Sequence, residues 1–366
     1  MAEPPLTGLR IVEMAGIGPG PFAGMMLADH GADVIRIDRG ARNGFTVDSM
    51  DPLLRSRRSV ALDLKRPEAV AAVRRIAREA DGLIEGFRPG VMERNGLGPK
   101  ELCAANPRLV YARITGWGQE GPLAKAAGHD INYIALTGAL AAIGRAGEPP
   151  VPPQNLLGDF GGGSLYCALG ILAALYERER SGRGQVVDAA IVDGVTSLLS
   201  FFAGTRGHPL LSAERGRGML GGAAHFYRAY LCADGRYISV GAIEPQFYAE
   251  LLDRLGLSGD LGAGQLDPTN WADYAKRLEA LFATRGRDEW CELLEGTDAC
   301  VAPVLGLGEV ADHEHMRARD AYVERGGVSH TAPAPRFSRT PGTIRDSAED
   351  GAAVIARWTQ TTREQS

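Results

Sequence analysis

The chain has 366 residues, 45% apolar and 23% charged, with a formal net charge of −5. That length predicts two or three domains with ample core and no need of a metal or disulfide staple, and the charge excludes a strongly basic nucleic-acid binder. Its 48 glycines are about twice the usual ~7% share, and without a G-X-Y repeat they mark turns and close backbone approaches.

The first third alternates strand and helix. Leu9–Ala15 reads as a strand, Gly16-Ile-Gly-Pro-Gly-Pro21 as a turn, and Phe22–His30 as a helix closed by Gly31. Strands follow at Asp33–Asp38, Ser59–Leu64, Asp81–Phe87 and Leu109–Thr115, with a helix opened by Pro67 running to Ala80. Such alternation predicts an α/β fold with a largely parallel sheet covered on both faces. Helices are then predicted over Asp130–Ile143, Leu165–Arg180 and Val195–Leu211, and a further strand over Gln185–Ile191. A second block near residues 223–310 carries its own strand, Arg236–Val240, and amphipathic helices, which predicts a smaller α+β domain.

Two expectations concern location. The start, Met-Ala-Glu-Pro-Pro, has no secretory pattern, and the apolar stretch Cys167–Tyr176 is shorter than the ~18 residues of a membrane span. The cysteines at 103, 167, 232, 291 and 300 form no C-x-x-C pair, which suits reduced thiols in a cytoplasmic protein.

Charge is uneven: residues 36–100 carry a net +5 and the remainder −10. Arg39, Lys65, Arg88 and Arg94 punctuate the ends of successive strands. Ligands of open parallel sheets bind at those ends, so a ligand with separated phosphates is expected there. Arg55, Arg57 and Arg58 lie between them and read equally well as surface. The glycine turn imitates a dinucleotide fingerprint, yet Pro19 and Pro21 remove N–H donors that a pyrophosphate would use. A tight strand-to-helix turn is the better reading.

His129 and Asp130 open a predicted helix, and Asp159 sits in Gly158-Asp-Phe-Gly-Gly-Gly163 before another. An imidazole and a carboxylate of this kind could make an acid/base pair; each could equally be structural, Asp159 as a helix cap. Ser164 lacks the glycine of a nucleophile elbow, His313-Glu-His315 is not H-E-x-x-H, and no phosphate loop occurs. No metal ligand set is expected.

Nearly the whole chain, from Leu9-Arg-Ile-Val-Glu to Ala334-Pro-Arg-Phe-Ser-Arg339, resembles the family III CoA-transferases, within them the racemase branch acting on 2-methylacyl-CoA. The resemblance rests on Gly16–Pro21, Ala32–Arg39, Glu85-Gly-Phe-Arg-Pro-Gly90, Thr115-Gly-Trp-Gly-Gln119, Gly128-His-Asp-Ile-Asn-Tyr133, Gly158–Gly163 and Val240–Tyr248 in this order. It implies His129 as base, Asp159 as acid and Glu244 as the carboxylate that hydrogen-bonds the histidine. It implies CoA contacts at Arg39, Leu62, Asp63, Leu64, Lys65, Gly86, Phe87, Arg88, Arg94, Gly128, His129, Asp130, Ile131, Asn132 and Tyr133. Leu62 departs from the family, where a smaller residue is usual, which touches the packing around the nucleotide.

The resemblance also implies an interlocked homodimer, its sites between the large domain of one subunit and the small domain of the other. The Rossmann-like large domain would span 1–190 and 330–366, with linkers at 191–222 and 311–329 and the small domain at 223–310. The implied activity is epimerisation at C2 of a branched acyl-CoA, in lipid metabolism, through an enolate with the Asp130 N–H as oxyanion donor. No cofactor is required, since CoA belongs to the substrate, and neither nucleic acid nor membrane is an expected partner. The rival is CoA transfer through an aspartyl-CoA intermediate at Asp159; a nicotinamide-dependent oxidoreductase is weaker.

Overall fold

A computed structural model describes residues 2–39, 51–205, 207–345 and 351–360. Its central sheet has six strands: β1 (Arg10–Met14), β2 (Asp33–Asp38), β3 (Arg58–Ala61), β4 (Gly82–Glu85), β5 (Val110–Thr115) and β6 (Val186–Ala190). All pairings are parallel, and the order β3-β2-β1-β4-β5-β6 reverses direction of winding beside β1. The chain is an α/β protein, as the alternation predicts. In such a sheet the ligand crevice opens at the carboxyl ends, next to the reversal.

Successive strand residues point to opposite faces, and both faces are filled. Ile11, Val34, Ile84 and Val110 pack with the helices Pro19–Asp29 and Leu165–Ser181 through Leu27 and Ile171. Val12, Ile35, Leu83 and Tyr111 pack on the other face with Val73 and Ile76 of the helix Pro67–Arg78. The helix Gly351–Gln360 returns to that second face: Trp358 is fully buried and its indole donates to Asp33 at 2.8 Å.

Several sequence expectations shift. β3 ends at Ala61, so Leu62–Lys65 leave the sheet in a turn. The helix expected over Asp130–Ile143 stops at Leu136 because Gly138 adopts φ +88°, the left-handed conformation that ends helices. The helix expected over Val195–Leu211 begins directly after β6 and breaks into Ile191–Leu198 and Ser200–Gly204. The apolar run is also longer than the sequence suggests. Leu156–Ser181 is one helical stretch of 26 residues, by length and composition alone enough to cross a membrane. Here Cys167, Ile171, Ala174 and Leu175 are buried on the sheet, and its buried Arg178 pairs with Asp81 at 3.0 Å.

The chain divides into two compact units. The first holds residues 1–137, 153–198 and 320–366; the second holds 138–152 and 199–319. Segment 138–152 thus groups with the second unit, pinned there by Arg215, whose guanidinium donates to the carbonyls of Ala141 and Glu148. An antiparallel sheet of β7 (Tyr227–Leu231), β8 (Tyr237–Gly241) and β9 (Val301–Val304) builds the second unit. Its core joins Phe226, Tyr230, Tyr248, Trp271, Phe282 and Trp290. In the first unit, β10 (Tyr322–Arg325) and β11 (Val328–Thr331) form a hairpin that overlaps the end of the segment read from sequence as linker. Gly326 and Gly327, both at positive φ, supply its turn.

Candidate active site

The glycine turn after β1 does not present an open phosphate cradle. Gly18, at φ +73°, caps the helix Pro19–Asp29, and a side chain there would stand 2.7 Å from Asp159 Oδ2. The place where a dinucleotide fingerprint would receive a pyrophosphate is therefore taken by the protein's own carboxylate.

Asp159 is not a helix cap. It lies inside a π-helical segment, Leu156–Ser164, continuous with the helix Leu165–Ser181; such wide turns recur at functional sites. Two glycines let neighbours close on this segment: Gly162 leaves no room for a Cβ against Val195, and Gly163 abuts Ile191 and Pro19. The Ser164 hydroxyl reaches the carbonyls of Pro19 (2.7 Å) and Asp159 (2.9 Å), fastening the segment to the first turn. Phe160 stacks on Phe22 with centroids 4.5 Å apart. Sequence reasoning missed Ser164 in this role because its partners are backbone atoms remote in the chain.

The Asp159 carboxyl is pushed up to about 6. Burial is the main cause, and the charge of Asp130 adds to it; a hydrogen bond from Asn155 and the nearby His129 pull the other way. His129 and Asp159 are thus electrostatic neighbours. His129 is exposed at the N-cap of the helix Asp130–Leu136, and its N–H donates to Asn132 Oδ1 at 3.1 Å. Tyr133 donates its hydroxyl to the Gly128 carbonyl. Its ring fills space that side chains at Gly116 or Gly128 would need, and Trp117 packs edge-on against it with centroids 4.8 Å apart. The chain approaching His129 is held by these contacts. Ile131 is exposed on the same helix, and a pocket of about 530 Å³ lined by Trp117, Leu123, Ala126, Asn132 and Leu136 opens beside it.

The basic window separates into two populations. Arg39, Lys65, Arg88 and Arg94 are exposed just past the ends of β2, β3 and β4, and none is ion-paired among the described residues. Arg39 lies over the Phe87 ring at 5.6 Å, joining the ends of β2 and β4. Leu62, Leu64 and Phe87 rest against the core below, Asp63 accepts from the Lys65 N–H at 3.1 Å, and Gly86 stays exposed. Arg55 and Arg57, read from sequence as ligand or surface cations, are neither: they are buried against Asp29 and Glu13. Arg58 is likewise occupied, by Asp33.

Glu85 is a contributor the sequence did not reveal. It ends β4 fully buried, accepts the Phe87 N–H at 2.8 Å, and takes Arg113 Nε at 2.8 Å, while Arg113 also reaches Glu93. The loop Gly86–Arg88 is therefore shaped from beneath. Glu244, the other implied catalytic residue, caps the helix Pro245–Leu255 in the second unit and is exposed.

Residues 6–349 match CoA-transferase family III. The chain belongs to this family. Among family relatives, it is 50% identical over 337 residues to alpha-methylacyl-CoA racemase of Mus musculus, covering 92% of this chain and 87% of that one. It is 48% identical over 339 residues to the Homo sapiens racemase, with the same coverage. Succinyl-CoA–L-malate CoA-transferase alpha subunit of Chloroflexus aurantiacus is 30% identical over 372 residues, 93% of this chain and 84% of that one. A CaiB/BaiF family structure from Brucella suis superposes with a TM-score of 0.82 at 27% identity, covering 98% of this chain and 100% of that one. A hypothetical protein from Mycobacterium tuberculosis gives 0.81 at 28%, covering 97% and 100%.

Proposed function

We propose that this family III protein is a racemase that interconverts (2R)- and (2S)-2-methylacyl-CoA thioesters. The observation carrying this reading is the neighbouring of an exposed imidazole, His129, with a carboxyl, Asp159, poised at about 6. A carboxyl raised toward neutrality beside an imidazole suits removal and return of one proton. The 50% identity to a curated racemase supports the same reading.

The thioester carbonyl acidifies the hydrogen on C2. One residue takes that proton, and the C–H electron pair moves onto the carbonyl oxygen as an enolate. The other residue delivers a proton to C2 from the opposite face, and the pair moves back. His129 and Asp159 exchange roles with the hand of the substrate. Nothing is oxidised or reduced, so the chemistry needs no redox cofactor, and CoA belongs to the substrate. The Asp130 N–H, which has no acceptor among the described residues, would face the enolate oxygen. Arg39, Lys65, Arg88 and Arg94 take the phosphates of CoA, and Glu244 of a second copy of the chain orients the histidine.

A homodimer belongs to the same proposal. It is supported by Leu165, Leu169, Leu172 and Tyr176, which leave one face of a long helix apolar and exposed. Sedimentation velocity at micromolar protein checks it: a monomer would remove this part.

The deciding experiment incubates (2R)-2-methylacyl-CoA with the protein in deuterated water. Loss of optical purity with one deuterium gained at C2 is expected; unchanged optical purity without deuterium overturns the reading. CoA transfer through Asp159 is the second reading, favoured by the transferase relatives. Hydroxylamine would then trap a hydroxamate at Asp159, whereas racemisation leaves the carboxyl unmodified.

A further inference from the structure

Asp130 carries a feature that its backbone role in the enolate step does not use. The residue is only 8% exposed, although it sits in the first turn of a helix whose cap is open to solvent. The carboxylate turns inward to the π-helical segment, where Oδ2 accepts the Asp159 N–H at 2.6 Å and the Gly158 N–H also faces it. Gly158 is obligatory there, because a Cβ would stand 2.3 Å from Oδ2. The second oxygen, Oδ1, is buried with no hydrogen-bond partner among the described residues. Leaving a carboxylate oxygen buried and unsatisfied is costly, so a purely structural grip would be served as well by a neutral amide.

Given the acid/base reading above, we infer that the buried Asp130 carboxylate is a positioning residue for Asp159, gripping its backbone and setting a second negative charge beside its carboxyl. The grip links the two halves of the proton-transfer pair: Asp130 follows His129 directly in the chain, and one hydrogen bond joins it to Asp159. The charge makes the Asp159 carboxyl a weaker acid, since two adjacent carboxylates resist double ionisation.

The other groups around Asp159 do not supply that charge. His129 and the Asn155 side chain act in the opposite direction. Tyr133 is a phenol whose own ionisation is disfavoured by burial and by Asp159. The first turn contributes only Gly18 and uncharged neighbours. Asp193 on the helix Ile191–Leu198 is exposed, and its charge acts on Asp188 of β6, whose own carboxylate is engaged by the Gln119 N–H.

Two variants separate grip from charge. Asp130→Asn keeps an oxygen for the Asp159 N–H and removes the charge; Asp130→Ala removes both. The direct readout needs no turnover: a ¹³C-carboxyl NMR titration of the full-length protein, with Asp159 assigned by its disappearance in Asp159→Asn. In Asp130→Asn the Asp159 midpoint should fall by about one pH unit. In the deuterium-exchange assay, the acidic limb of the rate profile should move down by the same amount with KM unchanged. Asp130→Ala should lose about 10²-fold in kcat, again at unchanged KM, through misplacement of Asp159. An unshifted Asp159 midpoint in folded Asp130→Asn overturns the inference whatever the activity. Wild-type protein inert toward C2 instead overturns the racemase reading and leaves the titration to judge Asp130 alone.

Discussion

A half-buried carboxyl in the first unit and a buried imidazole in the second are both displaced from their ordinary range by desolvation, and only the first belongs to the candidate site. Asp159 is raised to about 6 and has Asp130, His129, Tyr133 and Asn155 around it. His225 is lowered to about 4 by burial alone. Its ring stands edge-on to Phe226, Tyr248 and Tyr274, its Nε2 pairs with the Tyr248 hydroxyl at 2.7 Å, and its Nδ1 has no partner among the described residues. Desolvation is common to both, so it does not mark a site. What distinguishes Asp159 is a second proton-carrying group and a charge placed beside it.

The largest expected effect tests the functional side. His129→Ala and Asp159→Asn should each lower kcat for C2 exchange by about 10²–10⁴-fold, the usual worth of a positioned acid or base. His225→Gln should leave kcat within a few-fold once folded enzyme is titrated. A comparable loss in His225→Gln would dissolve the distinction between the two groups.

Next comes acid stability. The unfolded His225 takes up its proton near 6.5, while the folded one does not until about 4. Over that window the unfolded chain binds more protons, so stability falls as pH falls through it, by about 3 kcal/mol in all. Urea unfolding of the second unit between pH 7 and 4 measures this slope, and His225→Gln should flatten it. An equally steep slope in the variant would assign the acid sensitivity elsewhere.

The cations follow. Arg88→Gln and Lys65→Gln should each raise KM for acyl-CoA by about 10- to 100-fold, as expected for a charge-assisted contact of about 1.5–3 kcal/mol, and leave kcat unchanged. Arg57→Gln, by contrast, takes one of two cations from the buried Glu13, leaving Arg36, and should lower the melting temperature without a selective change in KM. Stopped-flow binding of CoA against salt sharpens the contrast, because only the exposed group should reduce its salt dependence.

The smallest effect runs opposite to that of His225. A folded Asp159 raised above the ordinary 3.8 binds its proton while the unfolded chain has lost it. Its contribution to stability is therefore complete below about pH 4 and is lost as pH rises through about 6. Asp159→Asn should stabilise the protein at pH 8 by on the order of 1–2 kcal/mol after solvent screening. Thermal melts at pH 8 and pH 4 show the sign: a variant less stable than wild type at pH 8 would contradict it.

Much of this arrangement was legible from residues alone. Apolar runs alternating with helical spacing specify a parallel sheet, because a strand buried on both faces needs apolar side chains on both. The winding order then carries Arg39, Lys65 and Arg88 to the crevice, and the motif around His129 and Asp159 points to the family. The second unit was less readable: β7 and β9 were not anticipated, since their register depends on partners distant in the chain.

Other features had no signature in one dimension. Arg55, Arg57 and Arg88 look alike as letters, and pairing with Asp29 and Glu13 across the fold is what removes two of them from the ligand's reach. The π-helical turn at Asp159 exists because Gly162, Gly163 and Gly18 let three segments meet at backbone distance. The inward turn of Asp130 likewise depends on a missing Cβ at Gly158. Periodicity encodes which side of an element is apolar, but a carboxyl's proton affinity depends on the distance to charges and on the water excluded around it. Those distances arise only when segments far apart in the chain pack together.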